Sequence, residues 1–244
     1  MTAPLPALDQ DHHVHSAFSD DAVSSLDQNV RAARGRGLRV ICFAEHVRRD
    51  SAWVADYTAA VTALPPVPGL IVVAGVEAKI LDSQGRLDLP PRLPGVDRVL
   101  IADHQFPGQD GPVHPRQVRA ELLAGRRTPG EVIDGLISAT VRALGQVPDA
   151  QLAHLFSRLP MMGLAEAQVP GPALATLARA ARRAGARLEV NEKWACPSAR
   201  TIRAFAAAGV PLVASTDSHD CADVGQYAAV RDLLAAAAAS QVPG

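Results

Sequence analysis

The chain has no run of about eighteen consecutive apolar residues, the length a membrane-crossing helix needs, so no membrane span is expected. Its opening MTAPLPALDQ lacks the charged start and apolar centre of a signal peptide, and a cytoplasmic location is expected. Cysteine is scarce. Cys42, Cys196 and Cys221 are odd in number and far apart, which argues against a disulfide framework and for thiols that pack in a reduced compartment. Charge of one sign is also lacking: 24 Lys plus Arg stand against 25 Asp plus Glu, so long nucleic acid is disfavoured as a ligand. No linker or shift in composition divides the 244 residues, although PPVPG (65–69) and PPRLPG (90–95) punctuate loops. A single domain over 1–244 is expected, with flexible ends at 1–9 and 238–244.

A hydrophobic content of 48% supports a sizeable core. Short apolar, β-branched runs alternate with longer Ala/Arg/Leu segments of helical period, the pattern of repeated strand–helix units. The runs are RVICFA (39–44), GLIVVAGVE (69–77), RVLIAD (98–103), AQLAH (150–154), ARLEVN (186–191) and VPLVAST (210–216). VRAARGRGL, LARAARRAGA and IRAFAAAGV each stop at a glycine, as helix C-termini do. With DHHVH at the start this makes about seven strands, in a closed parallel barrel or an open doubly wound sheet.

Ionisable residues fall at the carboxyl ends of nearly all these runs. His13 and His15 share one face of an extended strand, while His12 points to the other and is expected to pack beneath the site or to orient a ligand. Glu45 and His46, Glu77, His104, His154, and Asp217 with His219 follow the other runs. In parallel α/β architectures those ends converge on one face. Imidazole with carboxylate is the ligand set of Zn, Mn and Fe centres, and roughly nine candidates exceed what one ion takes. Two or three divalent ions are implied, with Glu77 as the bridging carboxylate. His114 reads as a loop residue. Trp53, Tyr57 and Trp194 are candidates for an apolar wall beside the site.

DHHVHSAFSDD (11–21), FAEH (43–46), AHLFSR (153–158) and STDSHD (215–220) together resemble the motifs of the PHP (polymerase and histidinol phosphatase) family of metal-dependent phosphoesterases. Ala44 and Thr216 depart from the commoner Thr and direct Ser-Asp pairing, and neither change removes a ligand. The resemblance implies a distorted seven-stranded (β/α)7 TIM-like barrel with a trinuclear site at the carboxyl ends of the strands. It would place His13, His15, Glu77 and Asp217 on one ion, and Glu77, His104 and His154 on a second. A third would take His46, His219 and an acid of the SDD stretch; Asp21 is favoured by its spacing to the following helix, with Asp20 the alternative.

GVEAKILDSQGRLDLP (75–90) and VNEKWACPS (190–198) are most similar to free-standing histidinol-phosphatase-like members, which implies a small phosphate monoester as substrate. Glu77, Asp217 and His219 are the expected catalytic residues, and the proton donor to the leaving alcohol stays open between a ligand histidine and Asp217. Arg48, Arg49, Arg158 and Lys193, just beyond the ligands, are expected to seat the phosphate. Competing readings are a nuclease or nucleotide phosphoesterase with the same metals, and a non-catalytic regulatory protein with a residual metal site.

Overall fold

The computed structural model describes residues 2–239. Its strands are β1 (Gln10–Val14), β2 (Val40–His46), β3 (Ile71–Lys79), β4 (Arg98–Ala102), β5 (Phe106–Pro107), β6 (Pro112–Val113), β7 (Gln151–Leu152), β8 (Arg187–Asn191) and β9 (Leu212–Ser215). Seven of them form one parallel sheet in the order β1-β2-β3-β4-β7-β8-β9, and β5 with β6 makes a separate antiparallel hairpin. Helices α1 (Leu26–Gly35), α2 (Val54–Thr62), α3 (Pro115–Leu123), α4 (Pro129–Leu144), α5 (Gly171–Arg183), α6 (Ala199–Ala207) and α7 (Ala229–Ala239) cover the outside. Successive members of the series α4 to α7 pack on each other, as a ring around a barrel requires.

The sheet curls until its edges nearly meet. The β9 end is joined to the β1 end by Asp217 N–H donating to the His13 carbonyl and His15 N–H to the Ser218 carbonyl, both at 2.8 Å. Buried Asp11 accepts from Thr216 N (2.9 Å), Thr216 Oγ1 (2.6 Å) and Gly225 N (2.8 Å), which fastens the seam. The fold is thus a distorted seven-stranded β/α barrel.

Alternation along the strands sorts the core. Ile41 and Phe43 face the helices and belong to the main apolar cluster. Ala44, Leu100, Ala102 and Ala153 form a second, small cluster within the barrel, where short side chains leave room for polar groups above and below. Gly75 of β3 is required by close packing, since a Cβ there would sit 2.4 Å from the Phe43 carbonyl. Gly37, Gly185 and Gly209, the glycines that end three helical segments in the sequence, all take left-handed φ values of 70°, 69° and 77°.

Three local features differ from the sequence reading. β3 and β4 are joined by a helix-free loop. β7 is only two residues long, because the chain leaves the ladder at Ala153 and turns sharply, with His154 and Phe156 at φ of 30° and 71°. A one-residue register shift between Asp11 and Val14 places a bulge in β1. The bulge redirects His12, whose Nδ1 accepts from Arg98 on β4 at 2.8 Å. A contact between β1 and β4 crosses the barrel, so His12 is buried below the site as expected, with its side chain turned inward instead of to the opposite face of the strand. As for the expected flexible ends, Ala3 N–H donates to the Ala206 carbonyl, Ala239 closes α7, and residues 240–244 lie outside the described residues.

Candidate metal centre

Glu77 is the hub. It is buried near the carboxyl end of β3, and five imidazoles surround its carboxylate. His154 Nε2 and His104 Nε2 lie 2.8 and 3.1 Å from Oε1, His46 Nδ1 lies 2.8 Å from Oε2, and the Nε2 atoms of His13 and His15 stand 3.7 and 3.9 Å away. These residues come from five strand ends, brought together by parallel topology alone. Asp217 joins from the β9 end, with Oδ1 3.3 Å from His15 Nε2 and 3.8 Å from His13 Nε2. Asp21 Oδ1 lies 3.5 Å from His46 Nε2, and its Oδ2 lies 3.2 Å from His219 Nε2. Asp20 turns away to Arg48, at 3.4 Å.

The outer nitrogens of several imidazoles are held by acceptors, which fixes the inner nitrogens as lone-pair donors. His13 Nδ1 donates to Glu189 at 3.0 Å. His219 Nδ1 lies between the Asp217 carbonyl at 3.0 Å and the Lys193 ammonium at 3.2 Å, so its tautomer is not fixed in the same way. His15 Nδ1 meets Ser19 Oγ at 3.3 Å, and Ser19 in turn gives its hydroxyl proton to Glu45 at 2.6 Å. His154 Nδ1 faces Ser157 Oγ at 3.2 Å and Asp103 Oδ1 at 3.6 Å. The consequence is plainest between His13 and His15: their Nε2 atoms are 3.0 Å apart, with the opposite nitrogen of each ring already engaged.

That arrangement fits divalent ions. Glu77 Oε2 is buried without a hydrogen bond despite its short approach to His46, an acceptor left for a cation. Triads of ligand atoms close enough to share an ion occur at His13, His15 and Glu77, at His46, Glu77 and His104, and at His15, His46 and His219. Nitrogen and carboxylate donors suit Zn, Mn and Fe. Burial raises the Glu77 and Asp217 carboxyls, but the imidazoles around them outweigh it and hold both well below the usual range. Backbone strain gathers here too. His154 and Asp217, with φ of 30° and 54°, are among the few non-glycine residues in the left-handed region.

The hub opens into a cavity of about 470 Å³ lined by His46, Arg48, His104, Arg158, Lys193 and Trp194 among others. Arg158 stacks on Trp194 with its guanidinium carbon 4.3 Å from the ring centre, and Lys193 Nζ is 3.7 Å from Asp217 Oδ1. Arg49 is not among the lining residues; its backbone N–H caps Asp88 at 2.8 Å. Of the three aromatic residues considered for a wall, only Trp194 lines the cavity. Tyr57 is buried, with its hydroxyl on the Gly75 carbonyl, and Trp53 packs near it beside Phe18. His114 caps α3 by accepting from Arg116 N.

Two supports escaped the sequence reading. Glu189 is an acid inside a buried strand and accepts from His13, Gln151, Asn191 and the His154 backbone. Its inward register in RLEVN was the available signal. Glu45, noticed only as a strand-end acid, faces outward and gathers Ser16 N, Ser16 Oγ and Ser19 Oγ, which shapes the loop that carries Asp21.

The class defined by these features is a seven-stranded β/α barrel with a histidine and carboxylate cluster at its carboxyl mouth that could hold metal ions. The PHP domain model matches residues 11–192, most of the chain, and the protein belongs to the PHP domain family. Among curated relatives, a probable phosphatase of Caldanaerobacter subterraneus subsp. tengcongensis is 34% identical over 97 residues, 38% of each chain. A probable phosphatase of Vibrio parahaemolyticus is 27% identical over 121 residues, 48% of each. The chain therefore spans less than half the length of these relatives. Among solved structures, the histidinol phosphate phosphatase of Lactococcus lactis subsp. lactis, complexed with zinc, L-histidinol and phosphate, superposes with a TM-score of 0.67 at 17% identity, covering 96% of this chain and 94% of that one. A putative histidinol phosphatase of Listeria monocytogenes gives 0.59 at 13% identity, covering 89% and 97%. Among the described residues no helix is long and apolar enough to cross a membrane.

Proposed function

We propose that the protein is a metal-dependent phosphatase that hydrolyses a small phosphate monoester with two to three divalent ions, zinc, manganese or iron. The ligands are His13, His15, Asp21, His46, Glu77, His104, His154, Asp217 and His219. The observation that carries this reading is Glu77, a buried carboxylate with an unpaired oxygen inside a ring of imidazoles whose outer nitrogens are mostly pinned. The names of the curated relatives, probable phosphatases, support the same reaction class. When bound, the ions supply an activated water at neutral pH and offset the charge on the phosphoryl oxygens.

The protein's own groups supply the rest. Glu189 and Ser19 hold the tautomers of His13 and His15, so these ligand lone pairs meet without reorganisation. Asp21 draws His46 and His219 together at the open side of the cluster. Arg158 presents a planar fork of donors to a phosphoryl group, and Lys193 and Arg48 add charge at the cavity mouth. A cavity of about 470 Å³ suits a small ester. The histidinol and phosphate bound in the Lactococcus structure make histidinol phosphate the first ester to try.

The test is a phosphate-release screen over sugar phosphates, amino-alcohol phosphates and nucleotides, with manganese or zinc added and with chelator. Chelator-sensitive turnover of at least one small ester is expected. Release of mononucleotides from single-stranded nucleic acid alone, or no turnover of any ester by ion-loaded protein, would overturn the proposal.

A further inference from the structure

Trp194 lies in the turn that follows β8, held by its backbone N–H donating to Asn191 Oδ1 at 2.9 Å. Its indole makes two contacts of different character. Nε1–H donates to Asp217 Oδ2 at 2.8 Å, which leaves Oδ1 as the oxygen facing His15 Nε2. The ring face carries the Arg158 guanidinium at 4.3 Å.

Each contact answers a need of the site. A carboxylate at a strained strand end can rotate about its last bond and offer either oxygen; a directional donor on one oxygen removes that freedom. Arg158 has no carboxylate within ion-pair distance among the described residues, its Nε is buried without a partner, and its one side-chain hydrogen bond goes to Met161 sulfur at 3.6 Å. A guanidinium held by an aromatic face and a thioether keeps its strong donors for an anion in the cavity. Lys193, the preceding residue, approaches Asp217 Oδ1 at 3.7 Å, so one short turn addresses both oxygens of the same carboxylate.

We propose that Trp194 is a positioning residue that couples the two halves of the site: its indole N–H fixes Asp217 for the ions, and its ring face aims Arg158 at the phosphoryl group. The second half rests on the phosphatase reading; the first rests only on the metal site. Phenylalanine keeps a face and loses the N–H, and leucine loses both. A tryptophan that merely packed the rim would tolerate phenylalanine without consequence for ions.

The experiment measures two affinities for the wild type, Trp194→Phe, Trp194→Leu, Arg158→Ala and the double variant Trp194→Leu/Arg158→Ala. Zinc affinity is read by competition with a chromophoric chelator, and inorganic phosphate affinity by calorimetry on the zinc-loaded protein. Trp194→Phe is expected to weaken zinc binding about tenfold, as loss of a ligand's supporting hydrogen bond does, with phosphate affinity changed less than about twofold. Trp194→Leu is expected to weaken both, and adding Arg158→Ala to it is expected to cost phosphate binding less than about twofold more, because the arginine has already lost its support. Unchanged zinc affinity in Trp194→Phe would overturn the Asp217 role. Additive phosphate effects of Trp194→Leu and Arg158→Ala would overturn the Arg158 role. If Trp194→Leu fails to fold, Trp194→Met takes its place in the cycle. Zinc-loaded wild type that binds no phosphate would overturn the phosphatase reading and the Arg158 role together, and Trp194→Phe would still decide the Asp217 role.

Discussion

Replacing Glu189 by glutamine tests whether the metal site depends on a carboxylate that touches no ion. In the native chain both oxygens of Glu189 are engaged: Oε2 takes the His13 Nδ1 proton at 3.0 Å and Gln151 Nε2 at 2.7 Å, and Oε1 takes Asn191 Nδ2 at 2.5 Å. An amide keeps one acceptor and turns the other position into a donor. If the new NH2 stands where Oε2 was, it meets two donors; His13 relieves one clash by accepting at Nδ1 and carrying its proton on Nε2. That proton then points at the cluster and at His15 Nε2, 3.0 Å away, and removes one ligand lone pair. Forcing the wrong tautomer costs about 1–3 kcal/mol, the cost of an unmet buried hydrogen bond, which is about 5- to 150-fold in ion affinity. Chelator competition measures the affinity, and 15N NMR of the imidazoles reads the tautomer of His13 directly. A Glu189→Gln protein that keeps its fold, its Nε2 lone pair and its zinc affinity would refute the reasoning.

Three further outcomes are expected. Asp21→Asn should lower ion content and turnover while Asp20→Asn leaves ion content unchanged, because only Asp21 approaches His46 and His219; equal effects on elemental analysis would contradict this. Arg158→Ala should raise KM by about tenfold or more, in keeping with loss of a charge-assisted phosphate contact, whereas Arg49→Ala, outside the cavity, should leave steady-state kinetics unaltered. In the ion-free chain burial alone would lower His154, but Asp103 and Glu77 outweigh it and push it up to about 10. A histidine raised in this way adds stability that is fully present below about pH 6.5 and lost as pH rises towards about 10, because the folded state holds the proton longer than the unfolded one. The unfolding free energy of chelated protein, read from denaturant titrations, should therefore fall across that range by an amount on the order of a few kcal/mol, and a rise would contradict the assignment.

Much of the barrel and most of the proposed cluster were legible because parallel α/β topology converts sequence position into spatial convergence. Once VICFA, IVVAGV and LVAS are read as strands, His46, Glu77 and Asp217 must share one rim. The supports were less legible. Glu189 holds His13 from 176 positions away, and nothing in either segment names its partner. Glu45 follows Ala44 and reads as one more rim acid, yet the alternation that turns His46 inward turns Glu45 out to the serines. The direction of the His12 side chain, though not its place beneath the site, was missed because strict alternation assumes an unbroken strand, and one extra residue in β1 shifts it into the barrel. Tyr57 and Trp53 were candidates for a wall only while the direction of α2 was unknown.

The most direct test of the central claim is elemental analysis of the protein purified without chelating media, with Glu77→Ala carried alongside and the thermal midpoint of each recorded to confirm folding. Two to three divalent ions per chain in the wild type, falling to one or none in a folded Glu77→Ala protein, is the predicted result. A wild type that binds no ion under saturating zinc or manganese, or a Glu77→Ala protein that retains the full complement, would contradict a metal centre built around Glu77.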